Sequence, residues 1–164
     1  MPLHSHRAPF PAGLALKLPP VLLLALCAVG VWLTPSWPPL ATQIPEVWSQ
    51  AAAAALVGTG LLISLAGVLA FRSAQTTVSP LSPAHTSQLV VRGIYRYSRN
   101  PMYVGFAGML LGLVILRGQL SGLLWWAGML WYLQRYQIQP EEQALHAKFG
   151  AVYAQYCQQV RRWL

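Results

Sequence analysis

"PMYVGFAGMLLGLVILRGQLSGLLWWAGMLWYLQRYQI", residues 101 to 138, carries charge only at Arg117 and Arg135. Arg117, Gly118 and Gln119 split it into two apolar runs, 101–116 and 120–138, whose tight junction predicts an antiparallel helical hairpin. At 1.5 Å per residue the first run reaches about 24 Å, a little short of the ~30 Å hydrocarbon core of a bilayer. Two further apolar runs lie upstream, Leu18 to Leu33, entered through Pro19 and Pro20, and Val47 to Phe71. The composition agrees: 55% of the 164 residues are hydrophobic and only 9% are charged, far too apolar for a soluble domain of this length. The expected fold is all-α, a polytopic membrane protein with about four transmembrane helices, a cytoplasmic C-terminal helix and no sheet. One unit spans 1–164: two N-terminal spans (1–71), a cytoplasmic loop (72–100), the hairpin (101–138) and a tail helix (139–164).

The formal charge of +8 rests on 11 basic and 3 acidic residues. Such a balance can indicate nucleic acid, but here the basic residues lie between apolar spans, so topology explains them and no nucleic-acid partner is expected. Arg7 and Lys17 precede the first run, Arg72, Arg92, Arg96 and Arg99 separate the second from the third, and Arg135, Lys148, Arg161 and Arg162 end or follow the fourth. The segment between the first two runs has no Lys or Arg, and the hairpin turn has only Arg117. The positive-inside rule therefore places both termini and the central loop in the cytoplasm, with Trp32, Trp37 and Trp48 at the outer interface. The expected location is a bacterial inner membrane, with membrane lipids as neighbours; nothing in the sequence bears on oligomeric state. The first run is expected to be retained as an anchor, because "WLTPSWPP" lacks a small-residue cleavage pattern and Leu26 stands where a lipoprotein box needs a small residue. Cys27 lies within a span and Cys157 in the tail, so no disulfide joins them. Ala51 to Ala55, Gly58 and Gly60 suit close helix packing.

Two segments hold polarity that the spans do not explain. "RGIYRYSRNPMYVG", residues 92–105, brings three arginines and three tyrosines to the start of an apolar run. Asn100 before Pro101 is a helix-start signal, because Asn can cap free amides and Pro has none to satisfy at the first position. By themselves these residues read as interfacial anchors. The tail, "PEEQALHAKFGAVYAQYCQQVRRWL", opens with Pro140 at a predicted helix start and two glutamates in the first turn, where the dipole favours them. Glu141, Leu145, Phe149, Tyr153 and Tyr156 share one face by helical spacing, a pattern equally open to a membrane-surface helix.

"GIYRYSRNPMYVG" (Gly93 to Gly105), then an apolar hairpin, then "EEQALHAKFGAVYAQY" (Glu141 to Tyr156) resembles the isoprenylcysteine carboxyl methyltransferase and phospholipid methyltransferase superfamily. The resemblance covers the second half of the chain, and the double-glutamate motif is matched at every position. It implies an integral membrane enzyme using S-adenosylmethionine, bound on the cytoplasmic side. The matched positions imply a cofactor cradle of Gly93, Tyr95, Arg99, Asn100, Tyr103, Gly105, Glu141, Glu142 and Tyr153, with Arg99, Asn100 and Glu141 as catalytic residues. In that cradle Glu141, Glu142 and aromatic faces would hold the cofactor's amine and sulfonium, and Arg99 its carboxylate. Gly105, Gly108 and Gly112 also suit helix packing, with close cofactor approach as the alternative at Gly105.

Two positions depart from the pattern. Asn100 stands where the isoprenylcysteine branch usually has His, and Arg92 where some phospholipid enzymes have a further glycine. The acceptor therefore stays open between an isoprenylcysteine-like carboxylate and a phospholipid amine, both lipophilic. It is expected to enter sideways along the hairpin, past Met109, Trp125, Trp126, Met129, Trp131 and Tyr132. A small-thiol methyltransferase of the same superfamily and a non-enzymatic scaffold or transporter subunit are the alternatives. No general base stands out among His4, His6, His85 and His146, and no Cys or His cluster implies a metal.

Overall fold

The computed structural model of the protein describes residues 18–35, 45–73 and 89–164. Arg7, Lys17, Trp37 and the histidines at 4, 6 and 85 lie outside them. The elements are α1 (Pro20–Leu33), α2 (Glu46–Ser73), a 3₁₀ turn (Gly93–Arg96), α3 (Pro101–Arg117), α4 (Gly122–Tyr132), a π-helical stretch (Leu133–Ile138) and α5 (Gln139–Gln159). No strand occurs among the described residues, and the expected all-helical fold is the observed one. The 28 residues of α2 span about 42 Å and are long and apolar enough to cross a membrane. The 14 residues of α1 and 17 of α3 make shorter apolar helices, about 21 and 26 Å. The outward faces are apolar, with Val21, Leu33, Trp48, Leu62, Leu69 and Leu124 all exposed, the reverse of what water selects.

α2 and α3 pack antiparallel along a seam of small residues. Gly67 meets Met102, Gly60 meets Gly105 and Met109, and Gly112 meets Ala53 and Val57. A Cβ on Gly105 would run into the Ser64 hydroxyl and the Gly60 carbonyl, so glycine is what allows the backbones to approach. The Ser64 hydroxyl uses this closeness to donate to the Met102 carbonyl at 3.2 Å. Gly58, grouped with the packing residues on sequence, instead faces open space; only one face of a helix can join a seam.

Side-chain amides pin α1 to the hairpin at both ends. Gln119, buried in the α3–α4 turn, donates to the Val31 carbonyl at 2.5 Å, and Gln137 donates to the Leu18 carbonyl at 2.7 Å. Trp125 lies across Gly30, and its indole N–H donates to Thr34 at 2.8 Å. The Arg117 guanidinium sits 4.6 Å over the Trp32 ring, a cation–π contact. Gly118 closes α3 in the left-handed conformation, φ 56°.

The predicted break before Pro140 is absent: α4 continues through the π-helical stretch directly into α5. Pro140 lacks an N–H and its ring would strike the Tyr136 carbonyl in a regular α-helix, so a wider turn just upstream lets the helix pass. Glu141 and Glu142 thus occupy no free helix N-terminus, and the dipole-capping account of them is withdrawn. A kink follows at Gly150, φ 50° and ψ −121°, a conformation few other residues adopt. Replacing Gly105 with Leu should lower thermal stability of the detergent-solubilised protein by about 3 kcal/mol or more through overpacking. Gly58→Ala, measured alongside, should stay within about 0.5 kcal/mol.

Candidate functional site

The start of α3, the first two turns of α5 and the last five residues meet at one end of the bundle. Gly93, φ 60°, opens the 3₁₀ turn and aims Tyr95 inward, where its ring meets Phe71 edge-on at 5.2 Å. The Tyr95 carbonyl accepts the Tyr156 hydroxyl at 2.7 Å. Burial, with Glu141 nearby, pushes the Tyr95 phenol far above its ordinary value, so it stays neutral.

Asn100 begins α3 differently from the expected side-chain cap. Its carbonyl accepts the Tyr103 and Val104 amides at 3.1 Å each. Its side-chain amide instead donates to the Arg162 carbonyl at 2.9 Å, and the adjacent Arg99 N–H donates to the Arg161 carbonyl at 3.0 Å. Residues 160–164 leave α5 and run back beside this segment, with the Trp163 indole donating to Gln134 at 3.0 Å.

The two glutamates have opposite surroundings. Glu142 is gripped by Arg162 through two hydrogen bonds, 3.0 and 2.6 Å, and by Arg99 at 3.0 Å. Arg99 also donates to the Cys157 sulfur at 2.7 Å, while its Nε is buried without a partner among the described residues. Among the described residues, Glu141 accepts only a long hydrogen bond, 3.4 Å, from the Tyr103 hydroxyl. Burial pushes its carboxyl up to about 7, the Tyr103 hydroxyl opposes that rise and the Glu142 charge adds to it, although the side chain keeps an opening to the cleft.

Glu141 faces a narrow cleft of about 50 Å³ walled by Phe71, Tyr95, Met102, Tyr103, Tyr153 and Tyr156, with Leu89, Val90 and Leu145 completing it. Arg99, Glu142 and Tyr153 separate it from a polar basin of about 540 Å³ that also holds Gln139, Gln143, His146, Cys157 and Arg162. An apolar groove of about 440 Å³ lies beyond the C-terminal segment, between Val104, Ala107, Trp126, Leu130, Trp131 and Trp163.

Seven of the nine cradle positions read from sequence therefore line the cleft: Tyr95, Arg99, Asn100, Tyr103, Glu141, Glu142 and Tyr153. Gly93 shapes the turn behind Tyr95 and Gly105 faces α2, so neither lines it. Phe71, Leu89, Val90 and Met102 also line it without being singled out by the sequence, in which Arg162 reads only as a topological charge. Met102 lies inside the recognised motif, between Pro101 and Tyr103; Phe71 has no local signal, because only the α2–α3 pairing brings it there. The expected tunnel of six hairpin residues does not form. Met109 packs on Gly60, Trp125 on Gly30, and Met129 is buried in the core, leaving Trp126 and Trp131 to the groove.

The profile of the phospholipid methyltransferase family matches residues 48–152, which take in α2, α3, the hairpin and both glutamates. The chain belongs to this family. It is also similar to a fission yeast (Schizosaccharomyces pombe) protein named protein-S-isoprenylcysteine O-methyltransferase, 40% identical over 72 residues, which are 44% of this chain and 30% of the relative. The matched region thus spans less than a third of that relative's length. No solved structure matches. The family profile ends before Tyr153 and before the C-terminal segment that closes on Asn100.

Asn100→Asp tests that closure, since a carboxylate turned toward the Arg162 carbonyl repels it. The variant should lose about 1–3 kcal/mol of thermal stability in detergent, with Asn100→Ala falling between it and the parent.

Proposed function

We propose that this family member is an S-adenosylmethionine-dependent methyltransferase of the membrane that methylates a lipophilic acceptor. The observation that carries the proposal is Glu141: a carboxylate with no basic partner among the described residues, facing a cleft walled by tyrosines. A buried carboxylate without a counter-charge is unfavourable. A cationic ligand among aromatic faces relieves it. The unpartnered Arg99 Nε beside it offers a donor to a carboxylate. A sulfonium cation carrying an amine and a carboxylate fits this donor set, with Glu141 and the rings of Tyr95, Tyr103 and Tyr153 toward its cationic centres and Arg99 toward its carboxylate.

When bound, S-adenosylmethionine supplies an electrophilic methyl group. The chain's own contribution is to position and to exclude water: Asn100 locks the start of α3 to the C-terminal segment, and Phe71 and the tyrosines close the cleft's walls. An isoprenylcysteine-like carboxylate would arrive ionised, whereas a phospholipid amine would have to lose a proton first. The apolar groove by Trp126 and Trp163 suits the acceptor's chain. We further place four membrane crossings, with both termini and the site on the cytoplasmic side, in a single domain. Reporter fusions test this, and an extracellular position for the 3₁₀ turn would refute it.

Binding of S-adenosylmethionine to the purified chain should depend on pH in one direction. Glu141 is neutral below about 7, so affinity should rise with pH through that value and level off above it, falling up to tenfold per unit on the acid side. Glu141→Gln should flatten the profile and weaken binding at pH 8 by about five- to a hundredfold. The stability sign is opposite. A carboxyl whose pKa is raised on folding contributes fully below its unfolded value and loses that contribution as pH rises through about 7. Ligand-free Glu141→Gln should therefore be more stable than the parent above pH 7, by about 1–3 kcal/mol. Unchanged affinity combined with unchanged stability would remove Glu141 from the site.

A further inference from the structure

The cleft brings two adjacent carboxylates to a place where the proposed ligand needs one. Their division of labour traces to a residue outside the family match. Arg162 approaches Glu142 with two donors, Nε to Oε1 at 3.0 Å and Nη2 to Oε2 at 2.6 Å, the forked geometry that an arginine alone provides. Its position is fixed independently of that contact. The Arg162 carbonyl takes the Asn100 side chain, the preceding carbonyl takes the Arg99 amide, and the following residue, Trp163, is tied to Gln134. Arg162 lines the polar basin and not the cleft, whereas Glu142 lines both.

We propose that Arg162 is a positioning residue that turns Glu142 toward the basin and neutralises it, so that Glu141 alone meets the cationic part of a ligand in the cleft. The ligand's identity as a sulfonium rests on the reading above; the assignment of Arg162 does not, because it is a statement about the ligand-free protein. Several groups face Glu141 from the elements around it. They are Tyr95 from the 3₁₀ turn, Arg99 just before α3, Tyr103 on α3, and Glu142, Tyr153 and Tyr156 on α5, with the uncharged Phe71 from α2; Arg162 acts on them only through its grip on Glu142. Of these, Arg99 and Arg162 carry positive charge. Together they outweigh Glu142 by one charge, and removal of Arg162 leaves the Arg99–Glu142 pair neutral.

The experiment follows the Glu141 carboxyl in the full-length, ligand-free protein by infrared titration, the band being assigned with Glu141→Gln. Arg162→Gln should move the midpoint upward by about one pH unit, since the Glu142 charge that already raises it is then offset by Arg99 alone. Adding Glu142→Gln to that variant should bring the midpoint back to or below the parent value, which loss of packing at Arg162 would not do. An unmoved midpoint in Arg162→Gln, or no return in the double variant, overturns the proposal. If Arg162→Gln does not fold, Arg162→Lys keeps the charge but not the forked grip, and must raise the midpoint by a smaller amount; no rise is again a refutation. A second measurement separates this proposal from the cofactor assignment. In Arg162→Gln the pH at which S-adenosylmethionine binding levels off should shift upward with the carboxyl midpoint. Failure of the parent to bind S-adenosylmethionine would sink the methyltransferase reading and leave the titration standing.

Discussion

Two arginines from distant parts of the chain close on one glutamate, and most of the site's geometry follows from that contact. Arg99 arrives from the segment before α3, Glu142 from α5 and Arg162 from the C-terminal run. With side-chain exposures of 13% for Arg99 and 16% for Glu142, the pair is largely withdrawn from water, where desolvation offsets much of the attraction. Its value lies more in arrangement than in stability. The charges accept few alternative placements, and the backbone bonds from Arg99 and Asn100 to the C-terminal carbonyls run alongside them.

This knot is positioned by apolar packing some distance away. The glycine and serine seam sets how closely α2 and α3 approach, and that determines where the end of α2 presents Phe71 to Tyr95. Tyr95 in turn offers its carbonyl to Tyr156 on α5. Small residues in the bundle, an aromatic contact at its edge and a phenol on the tail thus form one chain of constraints from helix packing to cleft wall. A bulky residue in the seam would be felt at the tyrosines without touching them.

The parts of this architecture carried by local chemistry were legible in the sequence. The helix start at Pro101, the turn after Arg117 and the approach of Tyr95, Tyr103, Glu141 and Tyr153 each had a recognisable signal, the last through family resemblance. What escaped depends on contacts remote in sequence or on helix geometry. Asn100 reads as a capping side chain, yet Arg162, far along the chain, provides a carbonyl for its amide. Pro140 reads as a helix start, yet the preceding residues widen the helix and carry it onward. The C-terminal arginines read as bulk positive charge because nothing nearby in sequence shows that Glu142 awaits them. Gln119 and Gln137 gave no signal at all, since a buried amide matters only once its partner strand of backbone is in place.

The wide turn at Leu133–Ile138 has a consequence for how the two glutamates are told apart. Adjacent residues on a helix point about 100° apart, so what faces the cleft is an angular matter, and a π turn alters the angle at which everything downstream emerges. The stretch behaves like a phase shifter between the membrane hairpin and the tail. Wound as a regular α-helix, the same residues would turn the tail further about its axis, setting a different neighbour where Glu141 now stands. The charge of the cleft is thereby encoded in the winding of the helix as much as in the identity of its residues.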